Sequence, residues 1–245
     1  MEDLALPIVV VTFLGLSAWE ALRPARRYPQ RRFWKLRGAF AAVFYVALAS
    51  ALPFVWDAWL AEHRLLDATA LPLPLGALAA FLAVELLTYA WHRTMHAVPF
   101  LWRWFHQMHH SAERIDVWSA LLFSPLDIVG FTLASSLGTV LGVGVSPDAA
   151  ALAGIVAFAL GLFQHANVRT PRWLGYLVQR PENHALHHAR GVHRFNYGNL
   201  ALFDLLFGTF RNPERVDAPG GFYDGASDRV GAMLLGRDVS TPPGA

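Results

Sequence analysis

The chain has 245 residues, enough for one domain with appendages. It is 55% hydrophobic and only 16% charged, where soluble domains are about 25% charged, so its composition is that of a membrane protein. The absence of cysteine excludes disulfides, thiolate ligands and cysteine nucleophiles, and the net charge of +2 comes with no nucleic-acid-binding motif.

Residues 4–22, LALPIVVVTFLGLSAWEAL, are long enough to cross a bilayer. The M-E-D start lacks a basic n-region and no A-x-A-like site follows, so a retained helix is expected. Next comes RPARRYPQRRFWKLR, with Arg23, Arg26, Arg27, Arg31, Arg32, Lys35 and Arg37 and no acid. Seven cations beside a span predict a solvated loop against anionic headgroups on the cytoplasmic side. Residues 38–60 form a second apolar run, followed by a mixed-charge loop in which His63 reads as an ordinary loop residue. Residues 71–91 make a third span that returns to the cytoplasm and delivers His92. Glu85, Tyr89, His92 and His96 are spaced 4, 3 and 4, which places them on one helical face. A carboxylate inside a span is a functional-site candidate, and the plainer alternative for Glu85 is pairing with an arginine or hydroxyl of a neighbouring helix.

Pro99 ends that helix, and FLWRWFHQMHH reads as an interfacial helix with Trp102, Trp104 and Phe105 at headgroup depth. Residues 118–145 and 148–164 are apolar again. Ser124-Pro125 and Ser146-Pro147 are N-cap and Pro-at-N1 signals, predicting a helical hairpin with its joint near residues 142–146. Six glycines between Gly130 and Gly161 are expected to permit close helix packing, and the second arm delivers His165 to the side of His92. A helix is expected from Pro181 to about Arg190, stopped by Gly191. LALFDLLFG near 200–208 is too short to span. From Asn212 onward the chain is rich in Pro, Gly, Asp and Arg, which predicts a partly disordered cytoplasmic tail.

Ten of the eleven histidines lie between His92 and His193, as HRTMH, HQMHH, QHAN, NHALHH and a final His193. Histidines at i and i+4, or at i, i+3 and i+4, share a helical face, and the latter pattern occurs twice. Neutral imidazole is a common donor to Zn, Fe, Cu and Ni, and this many suits two ions better than one. Haem ligation would leave most of these residues without a role. Spacing and ligand type alone leave a zinc-dependent membrane lipid hydrolase or a metal-binding transporter open. No HExxH motif is present, and histidines gathered at one face suit a catalytic centre better than a conduit.

HRTMH, HQMHH, QHAN and PENHALHHARGVHRFNYGNLALFDLLFGTF resemble the motifs of the fatty acid hydroxylase superfamily, also called the sterol desaturase family, over about residues 80–212. The resemblance implies a histidine-rich, membrane-bound, non-haem di-iron enzyme that uses O2 as co-substrate to hydroxylate or desaturate an unactivated C–H bond of a membrane lipid. It implies metal ligation by His92, His96, His106, His109, His110, His184, His187 and His188, with His165 a further ligand. Where some relatives carry another histidine this chain has Arg169. His193 is left open between a tenth ligand and a partner of one. Asn167, Asn196 and Asp204 are candidates for orienting ligand imidazoles, with Glu85. Zinc can occupy such a site on purification. Electrons must come from an external donor, a ferredoxin or a cytochrome b5-like protein with its reductase, because the chain shows no dinucleotide fingerprint and no fused cytochrome domain.

The expected architecture is therefore all-α and polytopic, with about four to five transmembrane or re-entrant helices carrying a cytoplasmic helical cap with a polyhistidine dimetal site. The expected divisions are an N-terminal hairpin over 1–70, a fatty acid hydroxylase-like catalytic domain over 71–212 and a tail over 213–245. A bacterial inner membrane, with the metal site cytoplasmic, is the expected location, and the sequence is silent on oligomeric state.

Overall fold

The structure, a computed structural model, describes residues 2–244. It is all-helical, and among the described residues the only β pairings are isolated bridges. Among the described residues, five runs are long and apolar enough to cross a membrane: Leu4–Leu22, Trp34–Glu62, Leu73–Ala97, Pro125–Val143 and Pro147–His165. The protein is thus the expected polytopic membrane protein.

Helix α1 (Glu2–Leu22) and helix α2 (Trp34–Ala51) flank the basic loop. The second span starts earlier than the apolar pattern suggests, at Trp34, so α2 takes Lys35 and Arg37 from the basic stretch. It breaks at Leu52, where Pro53 opens α3 (Pro53–Glu62), because proline has no N–H to continue the ladder. Helix α4 (Leu73–Ala97) runs through the centre of the bundle and packs along α7 (Pro125–Ser136) and α8 (Pro147–His165). The two serine caps form as expected. Ser124 Oγ accepts from Asp127 N at 3.1 Å and Ser146 Oγ from Ala149 N at 3.4 Å, satisfying amides that have no intrahelical partner. After Ser136 the first arm continues as a π-helix, Leu137–Val143.

Only some of the glycines serve close packing. A Cβ on Gly138 would lie 3.1 Å from the Ala83 carbonyl carbon, so the π-helix and α4 approach at backbone distance. Gly154 faces open space.

Between α4 and α7 the chain forms α5 (Pro99–Leu101), a π-helical turn (Trp102–His106) and α6 (Gln107–His110). This segment is two short helices joined by a π-helical turn rather than one helix. Trp102 packs over the rings of His96 at 5.0 Å and His110 at 5.1 Å, so it covers the histidines. Beyond α8 come a 3-10 turn (Arg172–Tyr176), α9 (Pro181–His187), α10 (Ala201–Leu206), a 3-10 turn (Ala226–Asp228) and α11 (Val230–Leu234). Helix α9 stops three residues short of Arg190, and Gly191 takes φ +75° in the turn that follows.

The C-terminal segment differs most from expectation, since it is packed and not partly disordered. Phe222, Ala226, Met233 and Val239 are buried together against Trp102 and Met108. The Glu113 carboxylate accepts from Gly225 N and from Ser227 Oγ, and Gln107 donates to Arg237 O at 2.8 Å and accepts from Val239 N at 3.2 Å. Arg37 pairs with Asp228 at 2.6 Å. Low hydrophobic density predicts disorder only when nothing else supplies a surface to bury against; here Trp102, Met108 and Glu113 supply one.

Candidate metal centre

Helix α4 brings His92 and His96 to its C-terminal end, one turn apart. The π-helical turn and α6 present His106, His109 and His110. Helix α8 ends on His165, and α9 carries His184 and His187, with His188 at its C-cap. These nine histidines gather in two groups whose ring nitrogens lie within 4.8 Å of one another: His92, His96, His106, His110 and His187 in one, and His109, His165, His184 and His188 in the other. The two HX2HH motifs divide in opposite senses. The first gives its i and i+4 residues, His106 and His110, to the first group and His109 to the second. The other gives His184 and His188 to the second group and His187 to the first. The groups abut, with the rings of His110 and His188 stacked at 4.1 Å.

The hydrogen bonds fix which nitrogens face inward. His92 Nδ1 donates to Tyr197 O at 2.7 Å, His165 Nδ1 to Gly161 O at 2.8 Å and His187 Nδ1 to Phe195 O at 2.7 Å. His106 Nδ1 donates to Asp127 Oδ2 at 2.8 Å, a carboxylate–imidazole pair with both partners buried. A carbonyl can only accept, so Nδ1 of His92, His165 and His187 carries the proton and Nε2 is a bare lone pair, and Asp127, when ionised, sets His106 the same way. Yet His92 Nε2 and His106 Nε2 lie 2.9 Å apart, and His165 Nε2 lies 3.1 Å from His109 Nε2 and 3.0 Å from His184 Nε2. His188 Nε2 is 3.0 Å from His184 Nε2. Where both lone pairs are bare, as for His92 and His106 beside an ionised Asp127, they repel in a dry interior unless a cation lies between them, whereas Nδ1 of His109, His184 and His188 has no hydrogen-bond partner and leaves those tautomers to be set by what the site binds. Metal–nitrogen bonds of about 2.1 Å at right angles place neighbouring nitrogens about 3.0 Å apart, so the spacing suits shared ligation. Nε2 of His96, His110 and His187 has no hydrogen-bond partner although buried. Orphaned inward nitrogens of one ligand type are what a metal would satisfy.

Burial, reinforced by neighbouring imidazoles, holds His106, His109, His110, His184, His187 and His188 well below the ordinary imidazole pKa. All six are neutral at physiological pH, the form that binds metal. Burial lowers His193 to about 4. His193 lies outside both groups. Its Nδ1 is 3.0 Å from His110 Nδ1, and its ring packs on Trp102 and Phe222. His63 lies at the end of α3 with Nδ1 2.8 Å from Trp59 O, away from the groups.

The other sequence candidates touch backbone and polar side chains, not imidazole. Glu85, fully buried, accepts from Asn199 N, Asn199 Nδ2 and Leu200 N, which ties α4 to the loop before α10. Asp204 accepts from Tyr197 N, Gly198 N, Thr209 Oγ1 and Gln179 Nε2. It thereby anchors the loop whose Tyr197 carbonyl holds His92. Asn196 donates to Asn183 O and accepts from Arg211 N. Asn167 pins the basic loop, accepting from Arg26 N at 3.0 Å and donating to Arg26 O at 2.8 Å.

The sequence reading overlooked Asp127 and the loop carbonyls. Asp127 was visible only as the third residue after the Ser124 cap, where a carboxylate reads as helix-dipole compensation. The loop from His193 to Tyr197 puts three non-glycine residues at positive φ: His193 at 42°, Phe195 at 71° and Asn196 at 53°. Such strain at a site is held by its surroundings, and here it aims the Phe195 and Tyr197 carbonyls at His187 and His92.

Five membrane-length helical runs and two abutting groups of buried, neutral imidazoles define a polytopic membrane protein with a polyhistidine site able to hold two metal ions. Residues 77–209, more than half of the chain, match the family model described as Fatty acid hydroxylase, and the chain belongs to that family. It is 32% identical over 149 residues to ornithine lipid hydroxylase OlsE of Rhizobium tropici, covering 59% of this chain and 44% of that protein. It is 31% identical over 136 residues to alkylglycerol monooxygenase of Homo sapiens, covering 54% of this chain and 30% of that protein. The chain therefore spans less than half the length of either relative. No solved structure matches it.

Proposed function

We propose that this protein is an O2-dependent, non-haem di-iron oxidoreductase that hydroxylates an unactivated C–H bond of a membrane lipid. One atom of O2 enters the C–H bond and the other leaves as water, with two electrons and two protons from an external donor. The observation that carries this reading is the pair of abutting histidine groups whose ring nitrogens converge within 4.8 Å of one another. The family and its two lipid-oxidising relatives support lipid as the substrate. Bound iron would supply O2 activation and hydrogen abstraction. His92, His96, His106, His110 and His187 would hold one ion, and His109, His165, His184 and His188 the other.

This chain's own residues do the rest. Asp127 and the carbonyls of Tyr197, Phe195 and Gly161 hold four imidazoles with Nε2 inward, so the donors need no reorientation. Trp102, Phe123 and Phe131 cover the histidine rings and keep water from the reacting atoms. The seven cations between Arg23 and Arg37 support a cytoplasmic histidine face, where a reduced ferredoxin or cytochrome b5-like donor would reach it.

Lipid extracts of cells carrying the wild type and the His109→Ala variant test the proposal. The wild type is expected to yield a lipid heavier by one oxygen, labelled when isotopic O2 is supplied, and the variant none. Loss of two hydrogens in its place would make the enzyme a desaturase. Product formed without oxygen would overturn the oxygenase reading in favour of a zinc hydrolase, and full activity in His109→Ala would overturn the site.

A further inference from the structure

Beside the histidine groups lies a cleft of about 690 Å³ that their chemistry does not use. Its rim comes from the basic loop after α1, the chain directly after His165, and the C-terminal segment around residues 214–219. Its floor includes Ala166, Pro181 and Ala185, so it shares α9 with His184 and His187. Eight arginines line it against five carboxylates. Four of the arginines are matched: Arg31 with Glu113 at 3.4 Å, Arg180 with Glu182 at 3.0 Å, Arg190 with Asp224 at 3.0 Å and Arg215 with Asp217 at 2.7 Å. Among the described residues, the other four, Arg26, Arg27, Arg169 and Arg172, form no ion pair; Arg26 donates to Ala218 O at 3.4 Å, and Asp217, paired with Arg215, also feels the charges of Arg26 and Arg169.

The cleft lies just beyond the ends of two membrane-length helices. Arg27 follows the end of α1 by five residues and Arg169 follows the end of α8 by four, and α1 and α8 pack side by side. Its rim is clamped, because Asn167 exchanges two hydrogen bonds with the Arg26 backbone and Ala25 N donates to Asn167 O at 2.8 Å. A held, concave site with guanidinium groups that have no close carboxylate partner is preorganised for a phosphate or carboxylate, which arginine binds bidentately. The volume is that of a small-ligand site of about 300–1,000 Å³. An acidic protein would call for a docking face of about 800 Å² per partner.

We propose that this cleft binds the anionic headgroup of a membrane lipid, through Arg27, Arg169 and Arg172, and so selects phosphate- or carboxylate-bearing lipids for the histidine centre. The substrate class rests on the function proposed above, whereas the binding is measured without turnover.

The test uses the full chain in neutral detergent, with phosphatidylglycerol and phosphatidylcholine binding read by native mass spectrometry. All three arginines are exposed, so their alanine variants keep the fold. The wild type is expected to prefer phosphatidylglycerol. Each replacement is expected to weaken that binding about fivefold, as for one basic side chain near an anionic lipid, and Arg32→Ala, outside the cleft, to leave it unchanged. Equal binding of the two lipids, or unaltered preference in the Arg27/Arg169/Arg172 triple variant, would overturn the proposal. Inorganic phosphate binding as tightly as phosphatidylglycerol would make this a free-anion site and also overturn it. So would a triple variant that binds lipid normally but loses only reduction by an acidic protein donor. Loss of phosphatidylglycerol preference in a protein that oxidises no lipid would leave the site standing and sink the enzymatic reading alone.

Discussion

Four of the site histidines, His92, His106, His165 and His187, are held by an acceptor at Nδ1. Among those four acceptors Asp127 alone is a side chain, so it can be tested by substitution. Asp127→Ala leaves His106 Nδ1 without an acceptor and its tautomer unfixed. Losing such a partner costs about 10–100-fold in metal affinity, and that loss is expected when bound metal is measured against a competing chelator. Asp127→Asn keeps an acceptor oxygen and is expected to fall between the two. Wild-type affinity in Asp127→Ala would show that the carboxylate does not orient the ligand. The histidines themselves were readable because i, i+3 and i+4 spacing is a property of the helix alone. Their partners were not. Tyr197 O, Phe195 O and Gly161 O are backbone atoms with no residue signature, and Glu85, Asn167, Asn196 and Asp204 turn out to hold backbone that no local pattern places near them.

The elements were legible in proportion to their periodicity. The spans around α1, α4, α7 and α8 announce themselves by length and apolarity, and the two Ser-Pro caps mark helix starts to the residue. The π-helical turn before α6 was not legible, because nothing local in WRWFH distinguishes it from an α-helix. Nor was the C-terminal segment, whose apolar residues are sparse and aperiodic. It nevertheless closes the site. Phe222 is 7% exposed and packs on the rings of Trp102 at 5.9 Å and His193 at 5.1 Å. Phe222→Ala is expected to cost about 3–5 kcal/mol, as for other buried aromatic truncations. Its thermal unfolding in detergent should therefore begin at a lower temperature, and the purified variant should hold less metal because Trp102 and His193 lose their support. Wild-type melting and metal content together would show that the segment is peripheral.

At the scale of the molecule, the fold gathers imidazoles in a dry interior between the bundle and its C-terminal cover, and this sets a pH dependence. In the unfolded chain each histidine titrates near pH 6.5. In the folded chain His106, His109, His110, His184, His187 and His188 are held well below that by burial, and His193 at about 4. Between the two values the unfolded state binds more protons, so stability is fully present above about pH 6.5 and is lost as pH falls. One such group changes stability by about 1.4 kcal/mol per pH unit in that window, and several act together. Protons compete with metal for the same lone pairs, so metal adds to the slope with the same sign. Thermal midpoints in detergent between about pH 8 and 5 should therefore be level above about pH 7 and fall steeply below 6.5. The metal-stripped protein should fail at higher pH than the metal-loaded one, because ligation holds the imidazoles deprotonated. A metal-stripped midpoint that stays level down to about pH 5 would mean that the imidazoles are not held neutral by the fold, and would remove the electrostatic basis for reading their facing Nε2 atoms as a place for cations.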